Sequence, residues 1–511
     1  MHEENAPMVD DARKLFIGLD IGTSSTKGVL VDDAGRVIAR ASGDYPLLVP
    51  RPGWTEQDPE AWWAAAEDVL RRLVADAEAP IAAIGLTGQM HGAVFLDAAG
   101  TVIRPAILWN DQRTGAACET IEQEVGSERL RRITGNPALT GFQAPKILWL
   151  RDNEPEHYAR LAHVLLPKDY IRYRLSGAFA TDVSDAAGTL LLDLQARDWS
   201  DDVLAALDIS RAWLPQVFES PQVTAEVSEA GAGDTGLPAG TPIVAGAGDN
   251  AAAAVGGGIV KTGVAFVSVG TSGVVFAHSE SATPDTSGEL HCFCHAVPGA
   301  YHLMGVSLAS GGSLQWFADH IASDEAAVAQ RLGRNLHGLL AEEAATVAPG
   351  ADDLYFLPYL AGERTPHMDP NARGAWIGLS LSHDRRHMVR AILEGVAFSL
   401  RDSLVRIEAQ GVTPDRLILG GGGAHSDVWR GILAAVLNKP VAVQQDQEGP
   451  AYGATVLAAV GAGVHANVDA AVAAMVSAPE HFESPDAELV AEYAPRYEHF
   501  TRLYPALRDI V

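Results

Sequence analysis

The chain has 511 residues, 47% of them hydrophobic and 20% charged, with a formal net charge of −28. That length exceeds one ordinary core, and the composition is that of a soluble globular protein with two or more domains. The charge argues against binding nucleic acid or an anionic membrane, since both need a positive face, and it leaves any phosphate-bearing ligand to backbone N–H groups and a divalent cation.

The acidic, aperiodic start "MHEENAPMVDD" has neither the basic nor the apolar segment of a secretory signal, and residues 1–13 are expected to be poorly ordered. No apolar run approaches the ~20 residues that cross a bilayer. Three cysteines, Cys118, Cys292 and Cys294, are too few for a disulfide framework and suit the reducing cytoplasm.

"KLFIGLDIGTSSTKGVLVDDAGRVIAR" predicts strands over 15–20 and 27–32 and a third from residue 36, with a Gly/Thr/Ser turn in the first hairpin. Asp20 ends the first strand. Thr23 and Ser24 supply hydroxyls and free amides able to cup a phosphoryl group, with Lys27 at the rim. The turn lacks G-x-x-x-x-G-K-[ST] and opens into a strand, so it is no P-loop; taken alone it could equally be a plain hairpin.

A helix then starts with Asp58 as cap and Pro59 in its first position. "IAAIGLTGQMHGAVFLD" is a buried strand running into a glycine turn. "GQMHG" and "LWNDQR" put Met90, His91, Trp109, Asn110, Asp111 and Arg113 on loops, a set that suits a polyhydroxylated ligand. A lone His such as His91 is more often structural.

"TPIVAGAG" delivers Asp249 to the start of the helix "NAAAAVGG". It reads either as an N-cap or as a general base kept ionised by the helix start, and the surrounding small residues read as room for reactants. "AFVSVGTSGVVFAHS" then repeats the strand–turn–strand layout of the first hairpin, with Gly270, Thr271 and Ser272 in the turn. "RLILGGGGAHSD" similarly answers "AIGLTGQMHG". Two related halves, joined near "GGGIVKTG", predict an α/β protein with a cleft between them. "HCFCH" looks like a metal site, but strand alternation puts Cys292 and Cys294 on one face and His291 and His295 on the other. Gly422 and Gly423, in the run of four glycines, would let a flat base lie on the backbone.

Over most of its length, from residue 15 to about 507, the chain resembles the FGGY family of sugar kinases, which includes glycerol kinase, gluconokinase and xylulokinase. The stretches "GWTEQDPEAWW", "GQMHGA", "TDVSDAAGTLLLD", "GDNAAAAVG", "SVGTSGV" and "FLPYLAGERTPHMDPNARG" are similar to its xylulose-phosphorylating subgroup. The resemblance implies two actin-like, ribonuclease H-like ATPase domains, 14–258 and 259–511, with a catalytic cleft between them. It implies ATP-dependent phosphorylation of D-xylulose at O5, with Mg²⁺. Asp249 would be the catalytic base, and Asp20 the catalytic carboxylate that helps hold Mg²⁺ directly or through water. Met90, His91, Trp109, Asp111 and Asn250 would bind the sugar; the Met-His pair replaces the Arg-Glu of glycerol kinase. Thr23, Ser24, Lys27, Gly270, Thr271 and Ser272 would hold the phosphates, and Gly422, Gly423 and Asp427 the adenosine. Gln143 departs from the Pro, Ser or Thr that the family prefers there, which leaves the sugar's identity open. The rivals are a kinase for ribulose, fuculose or gluconate, a non-catalytic sugar sensor, and a chaperone-like nucleotide-driven binding module. A homodimer is compatible with the sequence.

Overall fold

The computed structural model describes residues 13–443, 449–479 and 481–510; the acidic start expected to be poorly ordered lies outside them, except for Arg13. None of the helices among the described residues is long and apolar enough to cross a membrane.

In the first half, β1 (Leu15–Ile21), β2 (Ser25–Asp32) and β3 (Val37–Asp44) form an antiparallel meander, and β4 (Ile81–Gly88) adds parallel to β1. β5 (Val223–Glu226) and β6 (Pro242–Val244) extend the sheet to the order β5-β6-β4-β1-β2-β3, and the short β7 (Ala247–Gly248) also pairs with β4. The second half repeats the plan. β8 (Val264–Val269) and β9 (Gly273–Ser279) form the hairpin, followed by β10 (His291–Cys294) and β11 (Tyr301–Ser307). β12 (Arg416–Gly420) and β13 (Val441–Val443) complete the order β10-β11-β9-β8-β12-β13. In both sheets the second strand runs antiparallel to the first and a later strand lies parallel on its other side. The duplication expected from the two Gly-Thr-Ser turns is therefore present at the level of topology.

β1 is buried along its whole length because helices cover both of its faces. Leu15, Ile17, Leu19 and Ile21 pack with Trp62, Val69 and Leu73 of α1 (Pro59–Ala75), which starts as expected, with the Asp58 side chain accepting from Glu60 N at 3.0 Å. The alternate residues Phe16, Gly18 and Asp20 face the other way. Further along come α2 (Gln143–Asn153), α3 (Val183–Ala187), α4 (Asp249–Gly256), α5 (Gly311–His320), α6 (Asp427–Leu437) and α7 (Gly449–Gly461). Although it comes late in the chain, α7 lies on this second face of the first sheet. A Cβ on Gly18 would sit 1.9 Å from Ala451 O, and one on Gly85 1.9 Å from Ala454 O.

α7 also crosses α4 at backbone contact: a Cβ on Gly453 would lie 1.8 Å from Ala252 O. Ala251, Ala252 and Ala254 are buried. The small residues after Asp249 are thus the packing surface for another helix, which corrects their reading as space for reactants. Gly453→Val should drive α7 and α4 apart and cost about 1–3 kcal/mol, seen as a lower denaturation midpoint; an unchanged midpoint would mean that the crossing can relax freely.

Candidate active site

Strand register brings the candidate residues together. Thr87 on β4 is flanked by Asp20 on β1 and Ala247 on β7, and Gly88 by Ile21 and Gly248. The three parallel strands therefore end at one level, and the chain leaves them through Asp20, through Gln89 to His91, and through Asp249. In the second sheet Ser268 pairs with Gly420, so the turn at 270–272 and the glycine run at 421–423 leave side by side. The carboxyl ends of parallel strands are where open α/β sheets place ligands.

Asp249 is the first residue of α4 and Gly248 its cap, so the capping role is not its own. Its Oδ1 accepts from Asn250 N at 2.7 Å and from Asn250 Nδ2 at 3.0 Å. Burial pushes its pKa up to about 6, against the lowering by the Asn250 amide. Desolvation thus outweighs the Asn250 amide, and the carboxyl is not an ordinary one. Asp20 is buried too, and burial followed by repulsion from Asp249 raises it to about 7, with Lys27 opposing. Lys27 is exposed and directly opposite Asp20 across the first hairpin. Asp20 Oδ1 is buried without a hydrogen-bond partner among the described residues. Two neighbouring carboxyls, both pushed up and one with an orphaned oxygen, form a donor set that fits a divalent cation.

The backbone that carries Asp249 is held by a cluster of charges that motif reading did not single out. Lys168, Asp169, Arg172, Asp182 and Asp185 are all fully buried. Lys168 Nζ lies 2.6 Å from Asp169, 3.0 Å from Asp182 and 3.4 Å from Asp185. Arg172 donates to Val244 O at 2.7 Å and Ala245 O at 2.5 Å. Asp182 caps α3 and accepts from Ser184 Oγ at 2.5 Å, and that oxygen in turn accepts from Gly248 N at 3.1 Å. Lys168 and Arg172 are met by these carboxyls and by the 244–245 carbonyls, whereas both Asp185 oxygens lack a hydrogen-bond partner among the described residues and burial pushes that carboxyl well above the usual range. The ties to Val244, Ala245 and Gly248 fix the approach to Asp249.

Both phosphate-turn candidates have their carbonyls tied back. In the first, Gly22 O accepts from Tyr45 Oη at 2.5 Å and Gln89 Nε2 at 3.3 Å, and Thr23 O accepts from Gln57 Nε2 at 2.6 Å. In the second, Gly311 N donates to Gly270 O at 2.7 Å, while Ser310 N and Gly312 N each donate to Thr271 O at 3.0 Å. Ser24, Thr271 and Ser272 are exposed. The Gly22 and Gly270 amides close their own turns on Ser25 O at 3.0 Å and Ser272 O at 3.1 Å, so what the turns offer is chiefly at the exposed Ser24, Thr271 and Ser272. In the third turn, Gly421 has φ +80° and its Cβ would lie 2.6 Å from Val269 O, while one on Gly423 would lie 2.5 Å from Val269 Cγ1; only at Gly422 would it meet nothing. Most of that glycine run therefore answers to packing, leaving Gly422 open. Asp427 is exposed and paired with Arg430 at 2.5 Å, and Ser426 caps α6.

A cavity of about 200 Å³ brings together Met90, His91, Trp109, Asp249, Asn250 and Ser272. His91 has φ +69° in a three-residue turn closed by Gly92 N on Met90 O, an uncommon conformation for a non-glycine residue. It is held from two sides: its Nδ1 lies 2.6 Å from Gly188 O, and Lys146 Nζ donates to its carbonyl at 2.7 Å. Gly188 is required there, since a Cβ would lie 2.8 Å from the His91 ring. Trp109 gives its Nε1–H to Thr23 Oγ1 at 3.0 Å, so it offers the cavity an apolar face. Asp111 stands outside the cavity: it is fully buried and holds Thr55 N at 2.7 Å and Arg113. Gln143 is also buried, bridging Gly92 O at 2.9 Å and Leu165 O at 3.1 Å; it shapes the loop behind the cavity without lining it.

Sequence reasoning missed the wall supplied by the second half. Val274, His291, Phe293, Met304, Val306 and Arg364 form that wall, and Leu139, Gly141 and Phe142 add to the first half's side. The signal was present in "HCFCH", whose alternation turns His291 and Phe293 to one face. Arg364 lies in "FLPYLAGERTPHMDPNARG", a stretch that carries the family resemblance, but its residue type alone gives it no role there.

The family profile described as the FGGY family of carbohydrate kinases, N-terminal domain, matches residues 15–256, and that family's C-terminal domain matches 265–462. A xylulose kinase of Escherichia coli (strain K12) is 41% identical, with 97% of this chain and 100% of that protein covered. A gluconokinase of Bacillus subtilis (strain 168) is 31% identical over 86% of each. The crystal structure of xylulose kinase from Rhodospirillum rubrum superposes with a TM-score of 0.90 at 35% identity, covering 97% of this chain and 99% of that one.

A raised Asp249 pKa costs the native state stability wherever the group is ionised. The cost is absent below the unfolded value near 3.8 and is fully present above about 6. Asp249→Asn should therefore stabilise the ligand-free protein at pH 8 by on the order of 1–3 kcal/mol, an advantage that shrinks to nothing as the pH falls to about 4. Denaturation series at several pH values would show it; a pH-independent difference would contradict the assignment.

Proposed function

The chain belongs to the FGGY family of carbohydrate kinases, and we propose that it transfers the γ-phosphoryl group of ATP to O5 of D-xylulose, giving D-xylulose 5-phosphate and ADP, in cytoplasmic xylose catabolism. The observation that carries this reading is one cavity lined by Met90, His91, Asp249 and Asn250 from the first half and by Ser272 of the second phosphate turn. A sugar hydroxyl held there lies between a carboxylate and the place where a terminal phosphate would rest. The higher identity to a xylulose kinase than to a gluconokinase favours the pentulose.

Asp249 orients the hydroxyl and takes its proton as the bond to phosphorus forms. A pKa of about 6 leaves it ionised at neutral pH yet close enough to the working range to accept a proton. The phosphoryl transition state is loose, so positioning and charge stabilisation do most of the work. Thr23, Ser24, Lys27, Gly270, Thr271 and Ser272 bind the phosphates, largely through amides and hydroxyls, as the acidic composition requires. Gly422, Gly423 and Asp427 border the adenosine. Asp20 would hold Mg²⁺ through its unpartnered oxygen, directly or through water, and the ion would offset charge on the β- and γ-phosphates. Closure of the two halves excludes the water that would otherwise accept the phosphoryl group.

With ATP and a panel of D-xylulose, ribulose, fuculose and gluconate, ADP release should be fastest with D-xylulose; a faster rate with another member would replace the substrate. Asp249→Ala should lower kcat by about 10²-fold or more with a smaller change in sugar KM, and retention of a tenth of kcat would remove the base assignment. Asp20→Asn should raise the Mg²⁺ concentration for half-maximal rate by about 10-fold or more, and an unchanged Mg²⁺ dependence would release Asp20 from that role.

A further inference from the structure

Two histidines, one from each half, line the same cavity with their protons already committed. His91 Nδ1 lies 2.6 Å from Gly188 O, and a carbonyl only accepts, so the hydrogen is on Nδ1. His291, on β10, places Nδ1 2.7 Å from Asn136 Oδ1. The Asn136 amide nitrogen donates to Thr134 O at 3.0 Å and Cys292 O at 2.9 Å. Its oxygen is therefore the acceptor, and His291 also carries its hydrogen on Nδ1. Burial keeps both rings neutral, with Arg364 nearby adding to the effect.

The two Nε2 atoms are thus lone-pair acceptors. Neither has a hydrogen-bond partner within the protein among the described residues, and neither is sealed from the cavity. Phe142 and Phe293 fix the rings, with His91 edge-on to Phe142 at 4.8 Å and His291 stacked on Phe293 at 5.7 Å. A buried, oriented acceptor facing a small cavity is matched by an O–H donor, and of the groups on a ketose only its hydroxyls donate.

We propose that His291 is a specificity-determining residue that accepts, through Nε2, a hydrogen bond from a sugar hydroxyl other than the one phosphorylated, so that the second half of the molecule reads the sugar as well as the nucleotide. This rests on the sugar kinase reading above. Asn136 acts through His291 as a positioning residue by holding its tautomer across the boundary between the halves.

His291→Asn keeps a donor toward Asn136 and removes the acceptor, whereas His291→Gln places an amide oxygen near the lost Nε2. The Asn variant should raise the KM for D-xylulose by about 10-fold or more with the KM for ATP within about twofold, and the Gln variant should recover most of the loss. Among 1-, 3- and 4-deoxy-D-xylulose, one analogue should be used equally well by wild type and the Asn variant, because its missing hydroxyl is the one His291 receives. In wild type, the ¹⁵N signal of His291 Nε2, identified by its absence from the Gln variant, should move on adding sugar and stay put on adding ATP. Equal losses on every analogue, no loss on D-xylulose, or an Nε2 signal indifferent to sugar would each overturn the proposal. Should wild type prefer another sugar, the substrate assignment fails by itself, and the same measurements on that sugar and its deoxy analogues still decide the role of His291.

Discussion

Two carboxyls brought to the same level by strand register, one of them opposed by an exposed lysine, set the terms for the rest of the cleft. Asp20, one residue before the end of β1, and Asp249, the residue after β7, lie on either side of β4, and burial raises both. Such an arrangement costs native stability, a cost that a bound cation would relieve. A divalent cation suits the orphaned oxygen of Asp20, and a sugar hydroxyl suits Asp249. The surrounding structure is built to keep that costly geometry from relaxing.

Three devices do this. The small residues on one face of β1 and β4 let α7 rest on the sheet at backbone distance, and α7 in turn abuts α4, which carries Asp249. The buried group around Lys168 holds the 244–248 backbone through Arg172 and Ser184. Gly188 and Lys146 fix His91 in a conformation that few side chains adopt. Because α7 belongs to the later part of the chain yet packs on the first sheet, the two halves are interlocked. A change at the α7–α4 crossing acts on the helix that begins with Asp249.

The architecture was legible in the sequence because it depends on local patterns: two hairpins with Gly-Thr-Ser turns, Asp58 and Pro59 opening α1, and a buried strand delivering Asp249 to a helix. The cavity was only half legible. Met90, His91, Trp109 and Asn250 lie in recognisable loops, whereas Phe293, Met304 and Val306 look like any core residue of a strand. Two inferences from local chemistry were overtaken by tertiary contacts. Asp111 looked available for a sugar hydroxyl but is consumed by Arg113 and Thr55, and the alanines after Asp249 serve a helix crossing. His291 was visible in its motif, but its orientation depends on Asn136, 155 residues away in sequence, a relation no short window contains.

The account turns on where Asp249 stands relative to the sugar when both substrates are bound. A crystal structure with D-xylulose, Mg²⁺ and a non-hydrolysable ATP analogue tests that most directly. An Asp249 carboxylate oxygen within about 3 Å of O5, with the γ-phosphate on the opposite side of that oxygen, is the predicted result. A closed complex in which Asp249 contacts no sugar oxygen, or in which another side chain occupies that place, would contradict it.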